Sequence, residues 1–171
     1  SVIRNYAIKK SHGEYIFFTD ADCVPNRDWL QKGIKEFLKY DCQGIEGKLT
    51  YVSEKYRPTL SDRVAENLNG GQFMTANMAY TKDILQHIKF NEEVTMLEDR
   101  ELAMRIGLKN IKFNNKMIVN HQHKKRNIKI LFKDLNRIRP RIKLLKQTKH
   151  KSLILSRNHL FLLLFPPLLF L

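Results

Sequence analysis

Cysteine is scarce in this chain: Cys23 and Cys42 stand 19 residues apart, with no second pair. That excludes a disulfide framework and the paired spacing of a structural zinc site. It fits a reducing compartment, with both thiols expected as small core residues. Internal repeats and low-complexity linkers are also missing, which excludes a solenoid. Acidic residues nearly vanish from residues 109 to 159, where 16 Lys+Arg face Asp134 alone, a balance of +15. Residues 1 to 108 carry 15 Lys+Arg and 16 Asp+Glu, a balance of −1, so the net charge of +14 belongs to a tail. A neutral front part argues against a nucleic-acid reader, whose basic patch would lie on the folded domain. A long hydrophobic run is absent too. Leu160 to Leu171 holds only Leu, Phe and Pro, yet its 12 residues fall short of the roughly 20 that a spanning helix needs.

An initiator methionine is lacking as well, and Val2 to Lys10 reads as a helix already under way. The chain therefore reads as a fragment in which an initial part of the domain is missing and no N-terminal targeting signal would be visible. Its 171 residues still suffice for one domain with a sizeable core.

What is present is concentrated in Tyr15-Ile16-Phe17-Phe18-Thr19-Asp20-Ala21-Asp22. A continuously apolar strand, expected to be buried on both faces, delivers two carboxylates where it must stop. Open parallel sheets bind ligands outside the carboxyl ends of their strands. Hard cations such as Mg²⁺ or Mn²⁺ take carboxylate oxygens and keep room for phosphate oxygens. A metal-bound phosphate substrate is the first expectation; Asp as an ordinary turn residue is the alternative.

Further along, Pro25 and Asn26 turn the chain. Asp28-Trp29-Leu30 opens a helix whose apolar residues Leu30, Ile34, Phe37 and Leu38 recur at helical spacing. Cys42 to Val52 reads as strand and turn, while Glu54 to Asn69 is polar and has no clear element. After Gly70-Gly71, Gln72 to Tyr80 is expected to be extended, and Thr81 to cap a short helix, Lys82 to Ile88. A second helix starts near Glu98-Asp99 with Leu102, Ala103 and Ile106 inward, and ends at Gly107. Lys112 to Asn120 is the last strand, with Ile118 and Val119 expected buried. His121 and His123 would share one face if that strand is regular.

From Ile128 the pattern changes. Ile128, Leu131, Leu135, Ile138, Ile142 and Leu145 step by three and four among basic residues. That predicts a basic amphipathic helix bent at Pro140, suited to a membrane surface. Basic residues beside an apolar end match the positive-inside pattern and attract anionic lipid. The terminal run is the opening of a span, a shallow hairpin bent at Pro166-Pro167, or a buried terminal segment.

Several pieces together resemble one family. Arg4-Asn5 in a helix, Gly13 to Asp22, Gly70-Gly71 before Asn77-Met78-Ala79-Tyr80, Glu98-Asp99-Arg100-Glu101-Leu102 and Val119-Asn120-His121 are similar in order and spacing to family 2 glycosyltransferases of GT-A fold. The resemblance runs over residues 4 to 121. It lacks the family's first strand and helix, which hold part of the nucleotide base. The Gln-x-x-Arg-Trp motif of the processive synthases has no counterpart either, which counts against polymerising activity.

The resemblance implies an α/β, Rossmann-like nucleotide-diphospho-sugar transferase domain over residues 1–123. A basic amphipathic juxtamembrane segment would follow over 124–158, and the start of a membrane-associated or transmembrane segment over 159–171. It implies Asp20 near the nucleotide ribose and Asp22 on a divalent metal that bridges the diphosphate. His121 is a candidate further ligand, and Arg4 a candidate partner of the diphosphate. Asp99 is implied as the general base for an acceptor hydroxyl, with Glu98 orienting the acceptor or supporting the site and the helix N-terminus favouring the ionised form. Gly70, Gly71 and Asn77 would shape the acceptor side.

The implied reaction is inverting transfer from a nucleotide-sugar to a glycan or lipid-linked acceptor, on the cytoplasmic face of a membrane. Two alternatives stand beside it. One is a haloacid-dehalogenase-type phosphatase, with Asp20 as nucleophile and Asp22 as acid and base. The other is a non-catalytic basic module using residues 109 to 159.

Overall fold

The computed structural model describes residues 1–52, 65–94 and 96–122. In chain order they form α1 (Val2–Lys10), β1 (Tyr15–Phe18), β2 (Cys23–Pro25), α2 (Trp29–Lys39), β3 (Gly44–Val52), β4 (Met78–Thr81), α3 (Lys82–His87), α4 (Glu98–Ile106) and β5 (Ile111–Gln122). The segments 124–158 and 159–171, with the amphipathic helix and apolar terminus expected there, lie outside the described residues. So do His123 and most of the polar stretch after Val52. No helix among the described residues is long and apolar enough to cross a membrane.

The strands make one mixed sheet in the order β1-β4-β3-β5-β2. The sequence led to a parallel sheet, but β3 and β5 are the one parallel pair among the described strands. The pairs β1–β4, β3–β4 and β2–β5 are antiparallel. The registers nonetheless run β1, β3 and β5 in one direction, and their carboxyl ends meet the amino ends of β2 and β4 along one edge. That edge is where Asp20, Asp22 and His121 emerge.

Alternation along the strands divides the interior into two layers. On one face Met78 and Tyr80 pack with Ile8, Leu85, Phe90, Leu102 and Ile106 from the helices α1, α3 and α4 and their loops. On the other, Ile45, Leu49, Ala79, Met117 and Val119 pack under Trp29 and Phe37 of α2. Thr81 caps α3 as expected, accepting from the Ile84 N–H at 3.4 Å. Leu102, Ala103 and Ile106 point inward from α4, which ends at Gly107.

Several expectations change. β1 is half-buried along its length, because among the described residues it has a strand neighbour on one side only. In α2 the buried row is Trp29, Gly33 and Phe37, while Leu30, Ile34 and Leu38 are exposed. The helix lies so close to the sheet at its middle that a Cβ on Gly33 would come within 2.3 Å of the Phe17 ring. A glycine therefore marks the buried face, and an apolar count points one residue away from it. In β5 Met117 and Val119 are buried and Ile118 half-buried. Thr75–Asn77, expected extended, is a 3₁₀ turn leading into β4.

Two polar side chains inside the sheet fix this edge. The β3–β5 ladder breaks between Gly47 and Lys48, whose partners jump from Asn114 to Ile118. Asn77, 2% exposed, fills the gap. Its Nδ2 donates to Lys48 O and Met117 O, both at 2.8 Å, and its Oδ1 accepts from Trp29 Nε1 at 2.8 Å. A Cβ on Gly47 would stand 2.3 Å from that amide, so only glycine leaves room for it. Beside it, buried Glu46 accepts from Asn67 Nδ2 and from the backbone N–H groups of Gly71, Gln72 and Phe73 at 2.5–2.8 Å. These bonds hold a loop in which Gly70, Gly71 and Phe73 all have positive φ. For Phe73 that conformation costs about 1–2 kcal/mol, which the charge-assisted bonds to Glu46 offset.

Candidate active site

A cleft of about 290 Å³ opens at the strand-end edge, and Asp20, Asp22, Thr75, Asp99, Arg100 and His121 are among its lining residues. A larger hollow of about 490 Å³ lies between α1 and α3. It gathers no group of carboxylates, so the chemistry assigns function to the smaller cleft.

Each wall follows from local structure. Asp20 and Asp22 flank the turn that joins β1 to β2, closed by the Cys23 N–H donating to Asp20 O at 3.0 Å. The Gln122 N–H donates to Asp22 O at 2.9 Å and ties that turn to the end of β5. β2 and β5 place Cys23 directly opposite His121, so the two side chains share a face. His121 Nε2 lies 3.7 Å from Asp22 Oδ1, and the imidazole stacks on Tyr51.

The far wall is the first turn of α4. Leu97 precedes it with φ 60°, a backbone state that a leucine adopts only at a cost. Asp99 accepts from the Arg100 N–H at 2.8 Å and the Thr75 N–H at 3.3 Å. Arg100 in turn donates to the backbone O and side-chain Oε1 of Gln72 at 2.9 and 2.6 Å. The loop that Glu46 holds thus positions the wall that carries Asp99.

The electrostatics separate the acids. Burial pushes the Asp99 carboxyl above its ordinary range, opposed by the Arg100 N–H and reinforced by the Glu98 charge. The helix N-terminus was expected to favour the ionised form; desolvation outweighs it. Asp20 sits at the rim, yet desolvation by the surrounding walls is the largest effect and raises its pKa. Arg4 works against this and Asp22 adds to it. Burial also pushes the Cys23 thiol up, to about 11.

Of the residues singled out in the sequence, Asp20, Asp22, Asp99 and His121 come together in the cleft. Arg4 and Glu98 stand beside it as an ion pair at 2.7 Å, with Arg4 also donating to Thr75 Oγ1 at 3.2 Å. Gly70, Gly71 and Asn77 do not line the cleft. The two glycines shape the loop bound to Glu46, and the Asn77 amide is fully engaged in the interior. Cys23, expected as plain core, is half-buried and faces the cleft group.

Sequence reasoning missed Thr75, Arg100 and Glu46. For Glu46 a signal existed, an acid inside the apolar strand between Ile45 and Gly47, since a buried carboxylate must find donors.

The donor set suits a divalent cation. Asp22, Cys23 and His121 each offer one atom, and these atoms lie within 4.8 Å of one another. The His121 Nδ1 is buried without a hydrogen-bond partner among the described residues.

A mixed α/β sheet with carboxylates gathered at its strand ends, beside the N-terminus of a helix, is the architecture of GT-A glycosyltransferases. The sequence profile described as Glycosyl transferase family 2 matches residues 2–104, and the chain belongs to that family.

Among solved structures it is similar to S. aureus TarS 1-349 in complex with UDP-GlcNAc, at 17% identity and TM-score 0.54. That match covers 88% of this chain and 48% of that one. It is also similar to the mannosyltransferase PcManGT from Pyrobaculum calidifontis in complex with GDP-Man and Mn²⁺, at 16% identity and TM-score 0.59. There 96% of this chain and 49% of the other are covered. The chain thus spans about half the length of these structures. A search among curated proteins finds no match. Family membership sets aside the phosphatase alternative, whose further acids would stand at a strand end rather than open a helix.

Proposed function

We propose that the cleft transfers a sugar from a nucleotide-diphosphate sugar to an acceptor hydroxyl, with inversion at the anomeric carbon. The observation that carries this reading is Asp99, held at the first turn of α4 with a raised pKa, across one cleft from Asp20 and Asp22. A base must lie near its working pH to take a proton from the attacking hydroxyl, and burial moves Asp99 in that direction. Direct displacement needs one base and no covalent carboxylate intermediate, and Asp99 takes that one role. The similar structures, one in complex with UDP-GlcNAc and the other with GDP-Man and Mn²⁺, support a nucleotide-sugar donor.

Each residue then has a task. Asp20 faces the ribose and Asp22, with His121, holds a divalent ion. Such an ion supplies Lewis-acid neutralisation of charge as the nucleoside diphosphate leaves. Asp99 accepts the acceptor's proton from its place on the cleft wall. Glu98, locked to Arg4, positions the turn that carries Asp99. Arg4 stands near enough to the carboxylates to balance their charge.

The acceptor we propose is a glycan or lipid-linked hydroxyl at the cytoplasmic face of a membrane. The +15 balance of residues 109–159 supports it, since each basic residue near an anionic surface contributes about 1 kcal/mol.

The test is a panel of nucleotide-sugars incubated with the protein and Mg²⁺ or Mn²⁺, read by released nucleoside diphosphate. Release of nucleoside diphosphate from one or a few donors is expected. Failure of every donor, or inorganic phosphate as the product, would overturn the reading. For the membrane, recovery of the protein in the soluble fraction at moderate salt would refute the association.

A further inference from the structure

The ion site proposed above needs oxygen and imidazole donors only, yet this chain places a sulfur among them. Cys23 and His121 are direct partners across the β2–β5 ladder, and directly opposed residues hold their Cβ atoms about 4.5–5.5 Å apart. Asp22 precedes Cys23 and is tied to the same ladder through Gln122. The three donor atoms lie within 4.8 Å of one another. Ligation at the usual 2.0–2.3 Å by a tetrahedral ion sets donors roughly 3.3–3.7 Å apart, so side-chain rotations of about an ångström close the set. The neighbouring His121 Nδ1 is buried and lacks a hydrogen-bond partner among the described residues.

We propose that Cys23 is a third donor of the Asp22–His121 site, so that thiophilic divalent ions such as Zn²⁺ bind there in competition with Mg²⁺ or Mn²⁺ and inhibit transfer. The inference rests on reading the cleft as the ion site of a nucleotide-sugar enzyme. Hard ions favour oxygen donors and leave a thiol aside, whereas Zn²⁺ and Co²⁺ accept sulfur. On binding, the Cys23 S–H bond breaks, its proton passes to solvent and the sulfur electron pair forms the bond to the ion; nothing is oxidised or reduced. A tetrahedral ion held by three protein donors keeps a single open position, too few for both oxygens of a diphosphate.

The test uses Co²⁺ as a spectroscopic probe and Zn²⁺ and Mn²⁺ in binding titrations, on the whole protein. Co²⁺ is expected to produce a thiolate-to-cobalt charge-transfer band in the near ultraviolet. That band should persist in Cys42→Ser, which alters the other, buried cysteine, and vanish in Cys23→Ser. Zn²⁺ affinity of Cys23→Ser should fall by more than the roughly 10–100-fold that loss of an outer-shell partner costs, while Mn²⁺ affinity stays largely in place.

Co²⁺ bound stoichiometrically without the band, no Co²⁺ bound at all, or unchanged Zn²⁺ affinity in Cys23→Ser would each overturn the proposal. The parent spectrum needs no variant, so a folding defect in Cys23→Ser does not obscure the outcome. Failure of the transferase reading appears elsewhere, as absence of nucleoside diphosphate release with Mg²⁺, and leaves the Co²⁺ result standing.

Discussion

Glu46 is buried inside the sheet and Asp99 half-buried on the cleft wall, and the two acids are treated oppositely. Glu46, in the middle of β3, receives four donors: three consecutive backbone N–H groups and the Asn67 amide. Asp99, at the start of α4, receives two backbone N–H groups and is desolvated enough for its pKa to rise. A carboxylate with its acceptor capacity filled rigidifies its surroundings; one left short of donors is poised to take a proton. The two are linked, since the loop on Glu46 carries Gln72, which grips Arg100 beside Asp99.

The cleft should fail without the sheet failing. Asp22→Asn is expected to abolish metal-dependent turnover while thermal unfolding remains cooperative and near that of the parent. Normal activity of this variant in the presence of a chelator would contradict its role.

The converse break is Glu46→Ala, which leaves three backbone donors and an amide without their acceptor. Each orphaned buried donor costs roughly 1–3 kcal/mol, so a loss of about 3 kcal/mol or more is expected in urea unfolding. Asn77→Ala should cost less, about 2 kcal/mol or more from the same penalty at Lys48 O, Met117 O and Trp29 Nε1. If either variant unfolded like the parent, the node would not hold the edge as described.

A smaller difference between the two acids depends on pH. Because the Asp99 pKa is raised on folding from 3.8, the folded state binds the proton more tightly than the unfolded state. Ionised Asp99 therefore lowers stability, and this penalty sets in as pH rises from about 3.8 through the raised folded value. Asp99→Asn should be slightly more stable than the parent at neutral pH, with the gain vanishing below about pH 4. A loss of stability at neutral pH would place Asp99 with Glu46 as a structural acid.

The sequence carried the cleft better than the frame around it. Asp20 and Asp22 were legible as two acids where a strand must stop, and Asp99 and His121 through the family resemblance; all four line one cleft. Gly70, Gly71 and Asn77 were equally visible, yet the glycines shape the loop bound to Glu46 and the Asn77 amide serves the sheet interior. The Asn77 amide repairs a ladder break that no local pattern announces, since the break arises from the pairing of β3 with β5, distant in sequence. The buried face of α2 was misplaced for a similar reason: Gly33 faces inward because Phe17 lies against it, a contact between remote segments. Cys23 was read as core because a thiol's role depends on what stands opposite it, here His121.

The most direct test of the central claim is Asp99→Asn, with donor affinity and turnover measured separately on the best nucleotide-sugar. Donor affinity is expected near that of the parent, with a rate lower by roughly two to four orders of magnitude, the usual scale for loss of a general base. A parent-like rate, or a defect confined to donor binding, would contradict it and move the base away from Asp99.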